Sequence, residues 1–108
     1  MGLSQRRKGA AGQGIAANLL KDRDYTVDQL TAGLSTADFV ATDPSGKTWL
    51  VEVKNAATIT NGHLKQAIDQ GKSRRMPWML INKIAGSSSW LVRRQGELPV
   101  VWHEKKKI

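Results

Sequence analysis

Asp38, Glu52 and Lys54 have the residue types and spacing to act together: an aspartate in Ser35-Thr36-Ala37-Asp38-Phe39-Val40, and a Glu-x-Lys pair in Trp49-Leu50-Val51-Glu52-Val53-Lys54-Asn55. Both segments are apolar runs that read as strands. Alternate side chains of a strand share a face, so Glu52 and Lys54 project together while Trp49, Val51 and Val53 project the other way. Two carboxylates are hard oxygen donors of the kind Mg²⁺ takes. Such an ion polarises a phosphoryl oxygen and lowers the pKa of a bound water. An ammonium beside it could position that water or offset charge growing on the phosphate. The plainer account is that Glu-x-Lys is a solvated or cross-strand ion pair on an exposed strand face.

The elements around these residues decide whether they can meet. Asp43-Pro44-Ser45-Gly46, between the two runs, is a strong turn signal. A hairpin folded there brings Asp38 near the Glu52 end of the partner strand. Upstream, Ala11, Ile15 and Leu19 recur four apart with Ala16 and Leu20 alongside, which predicts a helix from about Gly9 to Asp22 with one apolar stripe. Strands are expected over Tyr25 to Leu30, about Ala37 to Thr42 and Thr48 to Asn55, forming an antiparallel meander.

Thr60-Asn61-Gly62 offers capping residues for a second helix, in which Leu64, Ala67, Ile68 and Gly71 share a face. Pro77 to Asn82 then reads as a buried strand, parallel to the Glu52 strand because the helix supplies a crossover. Ser89 to Arg93 and Pro99 to Trp102 are further short strands. The expected architecture is α/β, a mixed sheet flanked by helices, in a single domain over 1–108 with basic tails at about 1–8 and 104–108.

Composition narrows the partners. The 108 residues carry 17 Lys and Arg against 9 Asp and Glu, a net charge of +8, which attracts a polyanion, and nucleic acid fits best. Basic residues cluster as Arg6-Arg7-Lys8, Lys72-Ser73-Arg74-Arg75, Arg93-Arg94 and Lys105-Lys106-Lys107. Arg6, Arg7, Lys8, Arg74 and Arg75 are candidate phosphate contacts, although any one cluster could equally be a solvated loop or terminus. There are no cysteines, hence no disulfides and no thiolate metal site. No apolar run approaches the ~20 residues that span a bilayer, and the basic N-terminus lacks the apolar core of a secretory signal; a cytoplasmic protein without a membrane partner is expected. No phosphate-binding loop, zinc-ligand spacing or Ser/His/Asp pattern is present.

The helix rich in Gly and Ala, Asp38, Glu52-Val53-Lys54 and the helix beginning near His63 together resemble the PD-(D/E)XK nuclease superfamily, among its members the small Holliday-junction resolvases and related phage or toxin nuclease domains. The resemblance spans about Lys8 to Leu80. It implies a restriction-endonuclease-like fold and a Mg²⁺- or Mn²⁺-dependent endonuclease. Asp38 and Glu52 would be metal ligands, the Val53 carbonyl a further ligand, and Lys54 the catalytic lysine. It further implies DNA as partner and, for a domain too small to cut both strands of a duplex alone, a homodimer.

One departure concerns the first helix, where many members carry a glutamate and this chain offers Gln13. Gln13 could contact the metal or its water through its amide oxygen, could mark a weakened homologue, or could replace an original glutamate. As alternatives to a DNA enzyme, the chain could be a nucleic-acid-binding module of the same fold without catalysis, or a toxin domain that cleaves RNA. Gln66 of the second helix is a further candidate for the site, against a plain surface role. His63 reads as a helix cap or surface group that could reach phosphate. Trp49, Trp78, Trp90 and Trp102 lie within apolar runs and read as core rather than base-stacking residues.

Overall fold

The computed structural model describes residues 13–29, 39–54 and 61–105. Within them, the first helix (α1) occupies residues 13–21; the expected start near Gly9 lies outside the described residues. Strands β1 (Thr26–Gln29), β2 (Phe39–Thr42) and β3 (Thr48–Lys54) follow, then helix α2 (Asn61–Arg74), and then β4 (Trp78–Lys83), β5 (Ser89–Arg94) and β6 (Val100–His103). The six strands form one sheet in the order β1-β2-β3-β4-β5-β6.

Every neighbouring pair is antiparallel except β3 and β4, which run parallel. Parallel neighbours need a crossover, and α2 supplies it. The expected mixed sheet, a meander joined to a parallel strand, is therefore the observed one.

The apolar stripe of α1 sets where the main core lies. Ala16, Leu19 and Leu20 are fully buried against one face of the sheet, among Phe39, Ala41, Trp49, Val51, Met79, Ile81, Trp90 and Val92. Trp49, Trp90 and Trp102 belong to this core, while Trp78 is half-buried. The opposite face carries buried Leu50 and Leu80, and α2 packs on β3 and β4 with Ala67 buried. Period-two alternation in β3 thus sends Trp49 and Val51 to the α1 side and Leu50 to the α2 side.

Both helices end in the same left-handed cap. After α1, Asp24 has φ of 65°, the Tyr25 N–H donates to the Leu20 carbonyl and the Asp24 N–H to that of Lys21. After α2, Arg75 has φ of 55°, the Met76 N–H donates to Gly71 and the Arg75 N–H to Lys72. This pair of bonds satisfies the terminal carbonyls, and the capping position is one that usually takes glycine. Gly71 is fixed by a close approach: a Cβ there would lie 2.8 Å from the Met76 carbonyl oxygen.

The β2–β3 turn is organised by one carboxylate. Asp43 Oδ1 accepts hydrogen bonds from the Ser45 hydroxyl at 2.6 Å, the Ser45 N–H at 3.0 Å and the Lys47 N–H at 2.9 Å. Its Oδ2 accepts from the Trp49 indole at 3.2 Å. Gly46, with φ of +92°, completes the turn. The Asp-Pro-Ser-Gly signal folds as expected, and its aspartate also anchors a core tryptophan.

Candidate functional site

The site is built on β3. Its odd-numbered side chains are committed to the core, so Leu50, Glu52 and Lys54 share the α2 face. Glu52 is only 4% exposed, and Lys54 Nζ lies 3.2 Å from its Oε1. The Lys54 side chain retains 29% exposure, so solvent reaches the ammonium while the carboxylate is held inside. That differs from a solvated ion pair on an open strand. A buried carboxylate is costly unless paired, and pairing it within two residues of the same strand keeps the charge in place.

The parallel register sets Glu52 beside Leu80 and Lys54 beside Asn82. Asn82 is 4% exposed, and its side chain shares the face of Glu52 and Lys54. Its Nδ2 donates to the Lys83 carbonyl at 3.4 Å, and its Oδ1 has no hydrogen-bond partner among the described residues. In the sequence Asn82 stands out only as the end of a strand. The available signal was a lone amide closing the apolar run Trp78 to Ile81, but only the register between β3 and β4 puts it next to Lys54.

The other candidates are dispersed. Asp38, Arg6, Arg7 and Lys8 lie outside the described residues. Gln13 is half-buried at the beginning of the described part of α1. The Val53 side chain packs on the α1 side of the sheet. Gln66 lines a shallow cleft on α2 with Lys65, Asp69, Gln70 and Ser73, and His63 is half-buried near the start of that helix. Arg74 is half-buried at the α2 C-terminus, and exposed Arg75 lines a basic cleft with Lys47 and Lys72. Lys47 immediately precedes β3, so this cleft is at the opposite end of that strand from Lys54. Lys105, expected as solvated tail charge, pairs with Asp22 at 3.3 Å.

Among the described residues no three His, Cys, Asp or Glu side chains converge on a metal position. Glu52 is the one buried carboxylate there. Asp43, whose carboxyl is lowered to about 2, chiefly by the hydrogen bond from the Ser45 side chain, serves the turn rather than this site.

No family model and no curated protein matches the chain. Solved structures do. A Holliday junction resolvase, Hjc, from the archaeal hyperthermophile Archaeoglobus fulgidus is similar with a TM-score of 0.59 over 90% of this chain and 88% of its own, at 13% identity. A VRR_NUC domain is similar with a TM-score of 0.50 over 71% of this chain and 85% of its own, at 24% identity. At such identities the likeness is one of fold, and with the sheet order it gives one conclusion: the chain has a restriction-endonuclease-like α/β fold.

Proposed function

We propose that the chain is an endonuclease that hydrolyses phosphodiester bonds of nucleic acid, DNA by preference, using a divalent cation, Mg²⁺ or Mn²⁺. The observation that carries this reading is the buried Glu52 carboxylate held 3.2 Å from the Lys54 ammonium. Both sit toward the C-terminal end of β3, in a strand otherwise committed to burial. Ligands of open α/β sheets are bound outside the carboxyl ends of parallel strands, which is where this pair lies.

The residues fit a hard cation. Glu52 supplies a carboxylate and Val53 a carbonyl, and the chain has no thiol that would favour a softer metal. Asp38, which directly precedes β2 in the sequence, would complete the set by the resemblance. A bound cation would polarise the phosphoryl oxygen and acidify a water. Glu52 would fix the cation against the sheet. Lys54, partly exposed, would orient the attacking water and offset negative charge on the phosphate in the transition state. The net charge of +8 would hold the substrate backbone. The likeness to a Holliday junction resolvase supports DNA as substrate, and a domain this small would cut both strands as a homodimer with two sites.

Gln13 favours a second reading, a nucleic-acid-binding module of the same fold that does not cut, because an amide is a weaker Mg²⁺ ligand than a carboxylate. The deciding experiment incubates the protein, Glu52→Ala and Gln13→Glu with branched, duplex and single-stranded DNA and with tRNA, in Mg²⁺, Mn²⁺ or chelator. The nuclease reading expects metal-dependent cleavage that Glu52→Ala lowers by about 10²-fold or more. Cleavage by Gln13→Glu alone makes the chain a weakened enzyme. Binding without cleavage by all three proteins leaves the binding module. Cleavage confined to tRNA points to an RNA-cleaving toxin.

A further inference from the structure

Asn82 presents a chemical oddity that the Glu52–Lys54 pair does not absorb. A buried side-chain amide has two donors and a carbonyl acceptor to satisfy. Here the Lys83 carbonyl, 3.4 Å from Nδ2, takes a donor and so dictates which way the amide points, since the opposite orientation would set two oxygens against each other. The carbonyl oxygen is left turned away from it, without a partner among the described residues, in a residue 4% exposed. Buried polar atoms without protein partners are commonly satisfied by an ordered water or a ligand.

What surrounds that oxygen narrows the choice. Asn82 is the direct register neighbour of Lys54, on the same face of the parallel pair β3–β4. The Lys54 ammonium carries three donors, of which the Glu52 carboxylate engages one at 3.2 Å. Its 29% exposure gives water a route to the pair. An acceptor and an ammonium side by side form a two-point grip on one water, the Lys54 donor meeting the water's oxygen and the Asn82 oxygen receiving one of its protons.

We propose that Asn82 is a third side chain of the Glu52–Lys54 site, and that its Oδ1 and the Lys54 ammonium together hold one water. The proposal rests on the nuclease reading for its consequence: a water whose proton is directed to Asn82 has a lone pair oriented for attack on a phosphorus seated over Glu52. Asn82 acts by orientation and does not need to take the proton, which an amide could not keep.

The test combines high-resolution crystal structures with kinetics of the intact chain. Wild type, Asn82→Leu, which keeps the branched shape but has no acceptor, and Asn82→Asp, which keeps one, are compared. The expected result is a water within hydrogen-bond distance of both Asn82 Oδ1 and Lys54 Nζ, lost in Asn82→Leu and retained in Asn82→Asp. Asn82→Leu should then lower kcat at least tenfold with KM unchanged, and Asn82→Asp should recover part of the loss. Should Asn82→Leu fail to fold, Asn82→Ala, which also has no acceptor, is measured in its place. A wild-type structure with no water shared by the two groups overturns the proposal, whatever the cleavage results. A shared water with unchanged kcat in Asn82→Leu also overturns it, because the water is then structural. Absence of cleavage by every protein removes the nuclease reading alone, and the density at Asn82 still decides whether it belongs to the site.

Discussion

Lys54 Nζ stands 3.2 Å from Glu52 Oε1, one partner 29% exposed and the other 5%, so the pair spans the boundary between solvent and the sheet interior. Removing the ammonium strips the ion-pair partner from a buried carboxylate, whereas removing both charges removes the problem. Lys54→Met is therefore expected to destabilise the fold by about 1–3 kcal/mol. The double variant with Glu52→Gln should be less destabilised than the sum of the singles. Urea midpoints of the four proteins complete the cycle, and strict additivity would show that the pair is not coupled.

Asp43 gives acid sensitivity with a definite sign. Its carboxyl is lowered from 3.8 to about 2, first by the Ser45 hydroxyl and then by the Trp49 indole and the turn N–H groups, against an opposing contribution from desolvation. A depressed carboxylate stabilises above its unfolded value and loses that contribution as pH falls through the folded value. The stability difference between wild type and Asp43→Asn should thus be full above about pH 4 and shrink toward pH 2. Thermal melts across that window read it directly, and a constant difference would refute the account.

Gly71→Ala sets helix propensity against space. Alanine gains about 1 kcal/mol in an open helix. Here its Cβ would lie 2.8 Å from the Met76 backbone oxygen and 3.2 Å from Trp78 Cβ. Backbone cannot swing aside as a side-chain tip can, so a net destabilisation of about 1–3 kcal/mol is expected in chemical denaturation.

Asp24→Gly should act in the opposite direction. Asp24 holds φ of 65° at the cap of α1, a region that costs a residue with a Cβ about 1–2 kcal/mol. Part of that gain is returned through the freer unfolded chain. A net stabilisation of about 0.5–1 kcal/mol, visible as a raised melting temperature, is expected.

Nucleic-acid affinity should fall steeply with salt, given a net charge of +8. Binding isotherms between about 50 and 200 mM salt should give a linear log–log slope of several units, and each phosphate-contacting Lys or Arg changed to Ala should reduce it by about one. A flat slope would separate the charge from any backbone contact.

Much of the layout was legible because its signals are local. The four-residue recurrence through Ile15 and Leu19 is a helix stripe whatever surrounds it, and the Asp43-Pro44-Ser45-Gly46 turn is written by its own side chains. Alternation along β3 separated Glu52 and Lys54 from Trp49 and Val51, and the length of α2 implied the parallel partner β4.

Residue order by itself therefore determined the elements, the β1–β3 meander with β4 parallel to β3, and the face on which Glu52 and Lys54 appear, since each follows from periodicity, turn chemistry and the helical crossover. Only the tertiary structure decided that Glu52 is buried rather than solvated. It alone put Asn82 beside Lys54 and separated Arg75 and Lys72 to the far end of β3. Burial and register are set by which surfaces pack together across the sheet. Those contacts join residues as far apart as Lys54 and Asn82, whose relation no local pattern encodes.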